Sequence, residues 1–150
     1  MRIFYFIIIG LLSGSSPSVA LAQNIAVIGN FKKEIKISAE DLKKIYLENG
    51  VRIDDGLFIQ PLDYQEENQL RDEFYQKLLE KNRAQVKAFW ARKIFTGKGT
   101  PPKAFSGIKE AKEFLQKSTS PYVMYLPEAD VEKSDTVLFQ FADTAGASRR

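Results

Sequence analysis

From Asn24 onward, short unbroken apolar runs take turns with segments whose apolar residues recur every three or four positions. "NIAVIGN" (24–30) is a β-branched run closed by Gly29 and Asn30, the mark of a strand buried on both faces. "FKKEIKI" follows with weak alternation, and "SAEDLKKIYLENG" then places Leu42, Ile45 and Tyr46 on one helical face. Ser38 is its expected N-cap, Glu40 and Asp41 suit the positive end of the helix dipole, and Gly50 follows its end. "GLFIQPLD" (56–63) predicts a second buried strand with an irregular or edge ending at Pro61. In "NQLRDEFYQKLLEKN", Leu70, Phe74 and Leu78 recur every fourth residue, with Leu79 beside them and Asn68 as the N-cap. A further helix starts at Asn82, with Gln85 completing a capping box and Val86, Phe89, Trp90 and Ile94 as its apolar stripe. "SGIKEAKEFLQKS" predicts another, capped by Ser106, with Ile108, Ala111, Phe114 and Leu115 inward. "PYVMYLP" (121–127) and "TVLFQFAD" (136–143) read as closing strands.

Strands alternating with helices, and written as continuous apolar runs, predict an α/β fold in three layers with a mainly parallel central sheet flanked by helices. In such a sheet ligands lie outside the carboxyl ends of the strands, where helix N-termini offer free amides. That directs attention to Gly29-Asn30, to the segment Asp63 to Arg71, and to the loop after Tyr125.

Residues 1–22 follow a different rule. Arg2, the apolar run Ile3 to Leu12 and the small residues of Ala20-Leu21-Ala22 have the layout of a secretory signal, with cleavage expected after Ala22. The run is too short for the ~20 residues of a spanning helix, so a periplasmic domain without stable membrane insertion after cleavage is expected, with an uncleaved anchor as the alternative. One domain is predicted over 23–143, with 144–150 a frayed tail.

Removing the signal from the 150 residues leaves 128, enough for one core, with 21 basic and 19 acidic side chains. This near balance gives no footprint for nucleic acid. Neither cysteine nor histidine occurs, which removes disulfides, thiol nucleophiles, imidazole bases and the commonest metal ligands. No cofactor or metal is implied, and the expectation is a non-enzymatic protein.

"FTGKGTPP" (95–102) poses the sharpest local question. A phosphate loop needs a strand before it, a Lys-Ser/Thr pair and a helix at its end, whereas here a helix precedes and two prolines follow. Gly97 is expected to stop the helix in a left-handed conformation; anion contact through Lys98 or the Gly97 and Gly99 amides is the alternative. "LDYQEENQLR" (62–71) lies where a strand passes into a helix, so its amides could hold an anion beside Arg71, against the repulsion of Glu66 and Glu67. Phe89, Trp90, Phe95 and Phe105 are expected in the core by their helical spacing. The Asp54-Asp55 pair needs only a turn, and the lysines at 32, 33, 36, 43 and 44 read as a solvated face.

Taken together, "IAVIGN", "ISAEDLKKIYLENG" and "LFIQPLDYQEENQLRDEFYQKLL" resemble the recurring core of phosphate-type substrate-binding proteins of ABC transporters. "VKAFWARKIFTGKGTPPKAF" and "SPYVMYLP" are similar to small exported, single-lobe members of that group. The resemblance covers roughly 24–127 and implies one lobe of a type II periplasmic binding protein, with a small phosphate-like oxyanion as ligand. Where the family carries Ser-Gly-Thr-Arg, this chain has Asn68-Gln69-Leu70-Arg71, so the arginine alone carries over; Met124 stands where the family's last strand has its second glycine. The anion reading takes Arg71 as counter-charge and Asn68 and Gln69 as donors, with Asn30 and Lys98 as further candidates. A lone lobe leaves a small solute half in water, whereas tight pockets bury at least ~70% of their ligand. The alternative is therefore an accessory module that presents a vestigial cleft to an envelope protein partner.

Overall fold

The computed structural model describes residues 24–31, 35–53 and 56–141; the expected signal segment and the frayed tail lie outside the described residues. Its elements are β1 (Ile25–Gly29), α1 (Ala39–Glu48), β2 (Val51–Arg52), β3 (Phe58–Tyr64), α2 (Gln69–Leu79), α3 (Arg83–Phe95), β4 (Lys103–Phe105), α4 (Ile108–Lys117), β5 (Tyr122–Pro127) and β6 (Thr136–Gln140). A 3-10 turn, Glu128–Asp130, follows β5.

The α/β class stands, but the sheet is mixed and strongly curled, with its strands in the order β2-β3-β5-β1-β6 and β4 joined to β3. Its pairings correct the expectation of a mainly parallel sheet. β1 runs antiparallel to both β5 and β6, and β2 antiparallel to β3, leaving β3–β4 and β3–β5 as the parallel pairs. Alternation of strand and helix does predict the middle of the chain, where α2 and α3 carry β3 to a parallel β4 and α4 carries β4 to β5. It fails at β1, whose partners come from the far end of the chain and whose direction no local helix dictates.

Helix boundaries follow side-chain chemistry. Asp41 N–H donates to Ser38 Oγ at 3.1 Å and Ser38 N–H to Asp41 Oδ2 at 3.3 Å, closing a capping box on α1. The helix ends at Asn49 (φ 57) and Gly50 (φ 115), both left-handed. Asn82 and Gln85 form the same reciprocal cap on α3 at 3.0 Å each. Ser106 lies one residue too early to be the N-cap of α4: Gly107 occupies that position, and Ser106 instead donates from its N–H and hydroxyl to Glu110 Oε2. Gly97 takes φ 66 after α3 and Lys98 N–H donates to Lys93 O at 2.8 Å, so "FTGKGTPP" is a helix terminator.

Pro61 does not end β3, which continues through Tyr64. Gln60 N–H donates to Pro121 O on the β5 side, so the following nitrogen faces the other edge. There β2 pairs with Phe58 and Ile59, and β4 takes over from Leu62. The residue without an N–H falls in the gap between two partners, where no donor is required.

All five residues of β1 are buried, as are Leu42, Ile45 and Tyr46 of α1, Leu70, Phe74 and Leu78 of α2, Val86 and Trp90 of α3, and Ala111 and Leu115 of α4. An aromatic cluster fills the centre: Phe74 stacks on Tyr125 with centroids 3.7 Å apart, and Tyr46 and Tyr64 meet Tyr125 edge-on. Phe105 is buried as expected, but Ile94 and Phe95 are not part of the core. Among the described residues no helix is long and apolar enough to cross a membrane.

Candidate functional site

The end of β3, the first turns of α2 and the middle of β5 meet around one buried carboxylate. Asp63, 3% exposed, is the only acid in β3, and α2 leaves the strand after a four-residue turn, so Arg71 and Tyr75 rise from one face of the helix above it. Four donors converge. Oδ1 accepts from Tyr64 N–H (2.8 Å) and the Tyr125 hydroxyl (2.5 Å); Oδ2 accepts from Arg71 Nε (3.1 Å) and the Tyr75 hydroxyl (2.8 Å). A carboxylate has about four lone-pair sites, and all are taken. The Tyr64 hydroxyl donates to Tyr125 O at 2.7 Å and that of Tyr46 to Leu62 O at 3.1 Å, so every buried phenol here has an acceptor.

The electrostatics lock this arrangement. Burial first, and the Asp63 charge second, push the Tyr46, Tyr75 and Tyr125 hydroxyls well above the ordinary phenol value, and Tyr64 is raised by the same causes. They remain donors throughout the neutral range. Burial is the largest single influence on Arg71 and works to lower its pKa, yet the Asp63 charge, the hydrogen bond to Asp63 and the neighbouring Tyr75 and Tyr125 together outweigh it, and the guanidinium is held more firmly protonated. The same guanidinium lies over the Tyr75 ring at 5.0 Å. The site therefore binds three elements together by a compensated charge pair.

The anion residues expected from sequence fall into two groups. Asn68, Gln69 and Arg71 share the first turn of α2. Asn68 is its N-cap and accepts from Leu70 N–H at 2.9 Å; exposed Gln69 donates to Glu73 Oε1 at 3.3 Å; Arg71, 8% exposed, is held by Asp63. Asn30 and Lys98 lie elsewhere. Gly29 and Pro61 both pair with Val123, and because β1 runs antiparallel, Asn30 leaves the sheet at the end opposite Asp63. The two levels are roughly 10 Å apart along the strands at ~3.3 Å per residue. There Asn30 ties α4 to β5: its side chain donates to Leu115 O, Ser118 O and Ser120 O and accepts from Tyr122 N–H. Lys98 follows α3 before the start of β4, on the side where Asn49 reaches Thr100 and Pro101, again away from the α2 start.

In the sequence Asp63 and Tyr125 stand only as bounds of candidate segments, and the pairing of Asp63 with Arg71 and the tyrosines is not among the expectations. The available signal was an acid inside an apolar strand run with Arg71 eight residues on; a buried acid requires a partner. Among the described residues no group of acids is placed to hold a metal ion. Comparison with family models, with curated proteins and with solved structures returns no match.

Proposed function

We propose that this chain is an exported, non-enzymatic α/β domain of the kind that forms one lobe of a phosphate-type binding protein, with helices on both faces of its sheet. In this reading its anion cleft is closed by an internal ion pair, and it acts as an accessory module of the envelope, through its surface. One observation carries this reading: the arginine the family resemblance assigns to the anion already faces Asp63 at 3.1 Å in a nearly water-free setting. An incoming oxyanion meets a compensated charge, with Asp63 behind it and Glu66 and Glu67 flanking the helix start. Little attraction remains to offset the desolvation of a multiply charged ion.

Calorimetric titration with phosphate and sulfate tests it. No heat at millimolar anion is expected from the native chain. Asp63→Asn uncovers the Arg71 charge, so sulfate is expected to raise the melting temperature of that variant and not of the native protein. Micromolar binding by the native chain, lost in Arg71→Ala, overturns the closed-cleft reading in favour of solute capture. That second reading draws on the placement of Asn68, Gln69 and Arg71 within one helical turn at a strand end.

A further inference from the structure

The tip of α3 combines two features that a domain facing only water does not need. Ile94 and Phe95 are exposed, Phe95 at 92%, and every residue from Ile94 to Pro101 is exposed with them. Ala84, Ala88, Ala91 and Phe95, spaced by four, three and four residues, continue an exposed apolar stripe along the helix toward this tip. The charge along this stretch of the chain has one sign. From Arg83 to Lys109 the chain carries Arg83, Lys87, Arg92, Lys93, Lys98, Lys103 and Lys109 and not one acid.

Some of these cations are engaged. Arg83 pairs with Asp72, Lys87 with Glu66, Lys93 donates to Leu47 O at 2.6 Å, and Lys103 covers the Phe114 ring at 4.0 Å. Arg92 and Lys98, three residues either side of Phe95, are exposed. The end of α1 that touches this tip contributes one acid, exposed Glu48.

We infer that this tip is a peripheral docking point for an anionic phospholipid surface: Phe95 and Ile94 enter the headgroup–acyl boundary while Arg92 and Lys98 meet lipid phosphates. The observations favour lipid over the other polyanions. A protruding apolar point needs a surface that deforms around it, which a bilayer supplies. A nucleic-acid strand offers phosphates but no hydrocarbon for Ile94. Terminating the helix with Gly97 and holding the loop down by Asn49 on Thr100 and Pro101 fixes the tip in place, so little order need be gained on contact. The inference goes beyond the closed-cleft reading, and its test leaves the cleft untouched.

Phe95→Trp places a reporter at the tip, while native Trp90 is buried and supplies a constant background. With vesicles of phosphatidylglycerol and phosphatidylcholine in equal parts, a blue shift and co-sedimentation are expected, and neither with phosphatidylcholine alone. Arg92→Glu with Lys98→Glu should weaken sedimentation by about fivefold or more per charge. Phe95→Ser should weaken it by about tenfold without change in melting temperature. Inorganic phosphate at the same ionic strength as sodium chloride should compete no better than the chloride. An unshifted spectrum at millimolar lipid overturns the inference and leaves the patch to a protein partner; binding that Phe95→Ser does not weaken overturns it as well.

Discussion

The α2 corner and the α3 tip both combine cations with aromatic residues, and they do opposite things with them. At the α2 corner Arg71 lies over Tyr75 and faces Asp63, all three buried. At the α3 tip Arg92 and Lys98 stand three residues either side of Phe95, and all three are exposed. Desolvation separates the two. A buried charge is tolerated only when paired and hydrogen-bonded, so the corner is committed to holding β3, α2 and β5 together. Exposed charges pay no such penalty and contribute little to folding, so the tip is free to meet another surface.

Alkaline titration should separate them most strongly. The folded pKa values of Tyr46, Tyr64, Tyr75 and Tyr125 lie above those of the unfolded chain, so their contribution is complete below about pH 10 and is lost as the pH rises toward the folded values. Each tyrosine costs about 1.4 kcal/mol per pH unit once it ionises in the unfolded chain alone, so denaturant midpoints should be flat to pH 9 and collapse soon above 10. Next is Asp63→Ala, which strands a buried guanidinium and should cost about 3 to 5 kcal/mol by chemical denaturation. Asn30→Ala removes the hydrogen bonds that fasten α4 to β5 and should cost about 2 kcal/mol. Ser38→Ala, which opens the α1 capping box, should cost about 1 kcal/mol. Phe95→Ser should move the midpoint by less than about 0.5 kcal/mol, since the ring is already in water. A large loss there would mean that the tip belongs to the core and would erase the contrast.

The sequence made the local features of this fold readable and hid those that depend on distant pairing. Ser38, Asn82 and Gly97 announce helix ends because a cap or a left-handed turn is satisfied within four residues. The apolar faces of α1 and α2 follow from period alone. β2 and β4, two and three residues long, carry no periodic signal, and each exists because β3 offers it an edge. The direction of β1 was out of reach for the same reason, and with it went the expectation that Asn30 joins the α2 start. Ile94 and Phe95 mislead in another way: helical spacing marks an apolar stripe, but the core ends one turn before it does. Asp63 was visible as a letter and silent as a partner, because its four donors come from β3, α2 and β5.

The proposed exclusion of anions from the α2 corner can be tested at Arg71 itself. With the Nε–Hε resonance assigned by nuclear magnetic resonance, phosphate is titrated into the native chain to several millimolar. An unmoved resonance, protected from exchange by its bond to Asp63, is the predicted result. A saturable shift at micromolar phosphate, with loss of that protection, would contradict the account.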